Sequence, residues 1–72
     1  MASIHIALNG ESAELPAGET VGSLLERLGR DPRTVAVEHN GEILKRERYG
    51  EVALSGGDRL EIVHFVQGGS VP

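Results

Sequence analysis

Residues Glu19–Gly29, ETVGSLLERLG, form the stretch whose reading decides the fold. The Thr20 hydroxyl can accept a hydrogen bond from a free amide of a first helical turn. Val21, Leu24, Leu25 and Leu28 follow at i, i+3, i+4 and i+7, one apolar stripe, with Glu26 and Arg27 turned to water. Gly29 supplies a left-handed stop, and Pro32 blocks continuation. The spacing predicts one amphipathic helix of about nine residues, too short to be stable alone. It must lay its leucines on a sheet. No second stripe of this period occurs in the chain.

Outward from the helix the period changes from 3.6 to two. Before it, Ser3–Leu8 alternates, with Ile4, Ile6 and Leu8 on one face. Asn9-Gly10 is a two-residue hairpin signal, and Ser12–Leu15 returns with Ala13 and Leu15 inward. After it, Val35–His39 reads as a strand with Val35 and Val37 inward. Asn40-Gly41 turns the chain into a short strand, Glu42–Leu44. Lys45–Glu51 is polar and irregular, anchored by Tyr49, and Val52 and Leu54 face inward. Ser55–Asp58 is a tight turn, and Arg59–Val66 is the last strand. The order is two strands, a helix and three strands. An α+β domain follows, a β-grasp (ubiquitin-like) mixed sheet with the helix packed on one face. A ferredoxin-like fold would need a second helix.

Composition limits the function. Seventy-two residues make one domain, and a chain of this size buries only about 60% of its unfolded surface. Tyr49 and Phe65 are the only aromatic residues, which leaves little material for a water-excluding active site and argues against an enzyme. Without cysteine there is no disulfide, thiolate metal site or thiol nucleophile. His5, His39 and His64 fall on three separate strands, so no metal is expected. His64 reads as a partly buried hydrogen-bonding residue, and Asp58 as a local partner of turn amides. There is no phosphate loop and no nucleophile–base pair. No basic-then-apolar leader and no apolar run of ~20 residues is present, so the expectation is a soluble cytoplasmic protein, away from membranes. A net charge of −4 speaks against nucleic acid. The one basic cluster, Lys45-Arg46-Glu47-Arg48, reads either as a solvated loop or as a docking edge for an acidic partner.

The last strand raises the functional question. Leu60, Ile62, His64 and Val66 share one face; Glu61, Val63 and Phe65 share the other. Both faces turn apolar toward the C-terminal end. That is either an untidy outer face or a patch for a partner, and the adjoining Gly68-Gly69 favours the partner. The expected organisation is a folded domain over residues 1–67 and a flexible tail over 68–72. An extended Val66–Gly69 segment reaches ~13 Å. Its glycines, lacking Cβ atoms, could enter a tunnel closed to larger residues. A carboxylate at the end of such a rod could be activated by ATP as an acyl adenylate and then take up sulfur. A partner enzyme would supply the catalysis.

The run GDRLEIVHFVQGG, Gly57–Gly69, resembles the C-terminal signature of the ThiS sulfur carriers of thiamin biosynthesis. LNGE at Leu8–Glu11, the helix at Glu19–Gly29 and VAVEHNGEILKRERY at Val35–Tyr49 resemble the same family at matching spacing. The family often has Pro-Arg where Lys45-Arg46 stands and an aromatic residue where Tyr49 stands. The resemblance implies a β-grasp carrier, a cosubstrate that binds no cofactor of its own. It places the sulfur on Gly69, with Gly68 as its slender neighbour and Val63, Phe65 and Val66 as partner contacts. It implies an E1-like (ThiF-like) adenylating enzyme, a cysteine desulfurase relay and a ThiG-like thiazole synthase as partners. One departure stands out: the family ends at its Gly-Gly, whereas Ser70-Val71-Pro72 follow here. Gly69 then holds an amide that cannot be adenylated. Trimming by a protease is the favoured account. The alternatives are a carrier of another pathway (molybdopterin, cysteine or a specialised metabolite) and a β-grasp interaction module without chemistry.

Overall fold

The computed structural model describes residues 2–64. It contains strands β1 (Ser3–Leu8) and β2 (Glu11–Pro16), helix α1 (Val21–Arg27), and strands β3 (Val35–His39), β4 (Glu42–Leu44) and β5 (Arg59–His64). The five strands form one mixed sheet in the order β2-β1-β5-β3-β4. Two antiparallel hairpins flank β5, which runs parallel to β1 and antiparallel to β3. With one helix packed on one face, this is the β-grasp fold.

Both hairpins turn on Asn-Gly. Positive φ at both central residues, 50° and 84° for Asn9-Gly10 and 51° and 89° for Asn40-Gly41, gives type I′ turns whose twist matches the strands. The register that follows puts Ile6 opposite Ala13 and Ile4 opposite Leu15, so one face of the hairpin is apolar.

The free amides at the start of α1 are all accounted for. Val21 donates to the Val52 carbonyl at 3.1 Å and Gly22 to the Tyr49 carbonyl at 2.9 Å. Ser23 donates to the Thr20 hydroxyl at 3.0 Å, and the Thr20 amide donates back to the Ser23 hydroxyl at 2.9 Å. Thr20 is thus the expected cap, in a reciprocal box that uses serine where glutamate or glutamine is usual. The helix is seven residues long, shorter than its spacing predicts. Gly29, at φ 71°, closes it: its amide reaches the Glu26 carbonyl, and the Arg30 amide reaches the Leu25 carbonyl at 2.9 Å. Leu28 therefore sits on the cap instead of extending the buried stripe, and it is 43% exposed.

The core lies between helix and sheet. Val21, Leu24 and Leu25 meet Ile6, Leu15, Val35, Val37, Leu60 and Ile62, with Tyr49 and Leu54 closing the side and Val52 packed against them. Arg27, read from the sequence as simply solvent-facing, reaches back along the helix to the buried Glu19 carboxylate, Nε to Oε2 at 2.9 Å. Both guanidinium contacts reach that carboxylate, so the buried charge is paired. No helix among the described residues is long and apolar enough to cross a membrane.

Candidate functional site

The site begins with how β5 is rooted. Its parallel pairing with β1 covers only Arg59 and Leu60, because β1 then turns at Asn9. Asn9 continues the ladder with its side chain. Its backbone amide donates to the Leu60 carbonyl at 2.8 Å, and its side-chain amide then brackets Ile62. The Ile62 amide donates to Oδ1 at 2.7 Å, and Nδ2 donates to the Ile62 carbonyl at 3.3 Å. On the opposite side Asn40 does the equivalent for Arg59. Its amide donates to the Arg59 carbonyl at 2.8 Å, and the Arg59 amide donates to Oδ1, also at 2.8 Å.

Asp58 ties these turns together. Its carboxylate accepts from the Ser55 amide at 2.9 Å and from Asn40 Nδ2 at 3.2 Å, and it lies 2.9 Å from His39 Nε2. Burial pushes this carboxyl up, but the hydrogen bonds from His39, Ser55 and Asn40 outweigh it and hold it below the usual carboxylate range. The local bond to a turn amide matches the reading from sequence, whereas the link to His39 and Asn40 adds a cross-sheet contact to it. No nucleophilic hydroxyl is joined to the His39–Asp58 pair by a hydrogen bond among the described residues, so it serves as a clasp.

From this root, β5 runs to an end of different character. Val63 stands on the face away from the helix, 58% exposed. Ala36 is directly opposite it on β3. Glu38 of β3 has Glu61 on one side and Ile43 of β4 on the other, and Ile43 is 73% exposed. The outer face near the end of β5 thus carries Ala36, Ile43 and Val63 beside two carboxylates. Val63 is where a partner-binding residue was expected. Ile43 was not singled out; its signal is that Leu44 must face inward opposite Val37, which turns Ile43 outward. His64 differs from its expected role: it is exposed and holds no side-chain hydrogen bond among the described residues. Opposite Val35 at the end of the sheet, it lies past the helix that would have covered it. Phe65, Val66, Gly68 and Gly69 lie outside the described residues.

The basic cluster forms a 3-10 turn, Arg46–Arg48, ahead of Tyr49. Lys45, Arg46 and Arg48 are exposed, and Arg48 reaches Glu51 at 3.0 Å. Tyr49 is the buried anchor; burial raises its phenol, with the Arg46 charge partly opposing. No group of three His, Asp or Glu among the described residues is arranged to hold a metal ion.

The sequence model of the ThiS family matches residues 6–69. The chain belongs to the ThiS family. The match spans nearly the whole chain and ends on Gly69. A sulfur carrier protein ThiS of Bacillus subtilis is 42% identical over 65 residues, covering 89% of this chain and 98% of that one. A thiazole synthase of Paramagnetospirillum magneticum is 49% identical over 67 residues. That match takes in 93% of this chain but only 21% of the synthase, so the chain spans about a fifth of that relative's length. The crystal structure of the thiamine biosynthesis protein ThiS from Geobacter metallireducens superposes with a TM-score of 0.79 at 30% identity, over 92% of this chain and all of that one. Its likeness extends the ThiS assignment from sequence to fold.

Proposed function

We propose that this ThiS-family chain is a sulfur carrier whose Gly69 carboxyl, once freed from Ser70, bears the sulfur as a thiocarboxylate. The observation that carries the reading is the family match running to Gly69. A ThiF-like enzyme transfers AMP from ATP to the Gly69 carboxylate, releasing pyrophosphate. A sulfur nucleophile from a cysteine desulfurase relay then attacks the acyl carbon and expels AMP. The thiocarboxylate passes to a ThiG-like thiazole synthase, where it supplies the sulfur of the thiamin thiazole. The thiazole synthase relative supports that destination, since one polypeptide there includes a stretch similar to this chain.

The chain is the cosubstrate in this scheme, and its partners do the chemistry. A rigid β5 root holds the tail at a fixed place, which lowers the cost of positioning it in the partner's cleft. Val63, Ile43 and Ala36 offer that partner an apolar contact on the outer sheet face, with Phe65 and Val66 continuing it and Gly68 threading beside Gly69. Since Ser70 follows Gly69, a protease must first cut the Gly69–Ser70 bond.

The test uses two proteins, one ending at Gly69 and one ending at Pro72. Each is incubated with the adenylating enzyme, ATP and a sulfur source. The expected result is exchange of one oxygen for sulfur in the intact mass of the first and no change in the second. Failure of the Gly69-terminated protein to exchange sinks the proposal. Gly69→Val in the shorter protein should keep the fold and abolish adenylation; equal activation would refute the narrow-cleft part. If the loaded carrier passes sulfur to another acceptor in place of thiazole synthase, the carrier reading stands and the pathway changes.

A further inference from the structure

Residues 30–33 and 45–48 hold five of the chain's seven Lys and Arg but only two of its eleven Asp and Glu. The rest of the chain is correspondingly acidic. Far apart in sequence, the two segments meet at one end of the sheet. The first leads into Val35, where β3 starts; the second follows Leu44, which pairs with Val37 two residues further along β3. β5 comes out at this same end, with His64 opposite Val35. Arg33 hydrogen bonds lower the Asp31 carboxyl most, and the charge of Arg46 adds to the lowering, so the two segments feel each other's field. Arg33 is tied to Asp31 at 3.1 Å and Arg48 to Glu51 at 3.0 Å. Lys45 and Arg46 are exposed and have no ion-pair partner among the described residues.

We propose that this basic rim, centred on Lys45 and Arg46, is the docking contact for the protein whose cleft receives the tail, and that the cleft's mouth is lined with Asp and Glu side chains. The identity of that protein, the adenylating enzyme, rests on the carrier reading above. The charge distribution favours this occupant. An acidic cleft mouth attracts the basic end and repels the acidic remainder, so the molecule arrives with β5 leading. The exposed basic residues add little to folding, since surface ion pairs are weak. Their effect falls on association and weakens with salt.

Binding to the ThiF-type adenylating enzyme of the same organism is measured by calorimetry, using protein that ends at Gly69. Arg46→Glu should weaken the affinity by about tenfold or more at low salt, a typical size for reversing an interface charge. Arg59→Glu makes the same charge change at the other end of β5 and should alter affinity by less than about twofold. Added salt should weaken wild-type binding and narrow the gap between the two variants, and Arg46→Lys should restore most of the affinity. Thermal unfolding of each variant confirms that the fold is intact. Equal effects of Arg46→Glu and Arg59→Glu would overturn the rim and leave the carrier reading standing. Wild-type binding without adenylation would overturn the carrier reading, while the comparison of variants still decides the rim. No wild-type binding at all would overturn both.

Discussion

The first four residues of β5, Arg59–Ile62, and its last two, Val63 and His64, belong to one strand but are held in opposite ways. The first four are gripped from both sides: Asn40 brackets Arg59, Asn9 brackets Ile62, and Leu60 is fully buried between helix and sheet. The last two keep their pairing with β3 but have no clasp, and their side chains are exposed. A carrier gains from this division. Ordering the root in advance means that less freedom is lost when the tip is placed in a partner. Exposed side chains at the tip can change partners without repacking a core.

The comparison is broken most severely at Leu60. Leu60→Ala should cost about 3 kcal/mol, the usual loss for a fully buried leucine, read as a lower urea midpoint. Asn9→Ala comes next, at about 2 kcal/mol. It leaves both backbone groups of Ile62 without their partner and places a residue less suited than asparagine at positive φ. Asn9→Asp sharpens the point, because a carboxylate cannot donate to the Ile62 carbonyl. A midpoint unchanged in Asn9→Ala would show that the bracket contributes nothing.

Asp58→Asn should cost about 1 kcal/mol at neutral pH, the worth of hydrogen bonds to a charged group less those the amide can replace. The pH dependence has a definite sign. The Asp58 carboxyl is held below its unfolded value of about 3.9, so its stabilisation is present above that value and lost as pH falls through the folded one. The stability difference between wild type and Asp58→Asn should therefore shrink in acid, and urea midpoints at neutral and acidic pH would check it. A difference constant with pH would mean that the carboxylate charge plays no part. The smallest effect on stability belongs to Val63→Ser, within about 0.5 kcal/mol for an exposed site. Partner binding should fall in the same variant, and unchanged affinity would remove Val63 from the docking face.

Much of the fold was legible because its signals are local. The helical stripe, its cap at Thr20, its stop at Gly29 and the two Asn-Gly turns each depend on residues close in sequence. Leu28 misled because a periodicity cannot tell where a helix ends once glycine supplies the closing bonds. The clasps on β5 were hidden for a different reason. Asn9 and Ile62 are 53 positions apart, and their contact exists only because β5 inserts between the two hairpins. Ile43 was obscured by brevity, since three residues of β4 alternate too few times to fix a face. At the tip, Val63 could be read as exposed because its strand alternates over six residues.

The two Asn-Gly pairs also make the chain vulnerable to ageing. Succinimide formation needs the asparagine side-chain carbonyl carbon to meet the following glycine nitrogen, and glycine offers that attack the least obstruction. In the folded protein the side-chain amide of Asn9 is held by Ile62, and that of Asn40 by Arg59 and Asp58. Folding therefore guards both sites against deamidation, and time spent unfolded shortens the chemical lifetime of the polypeptide.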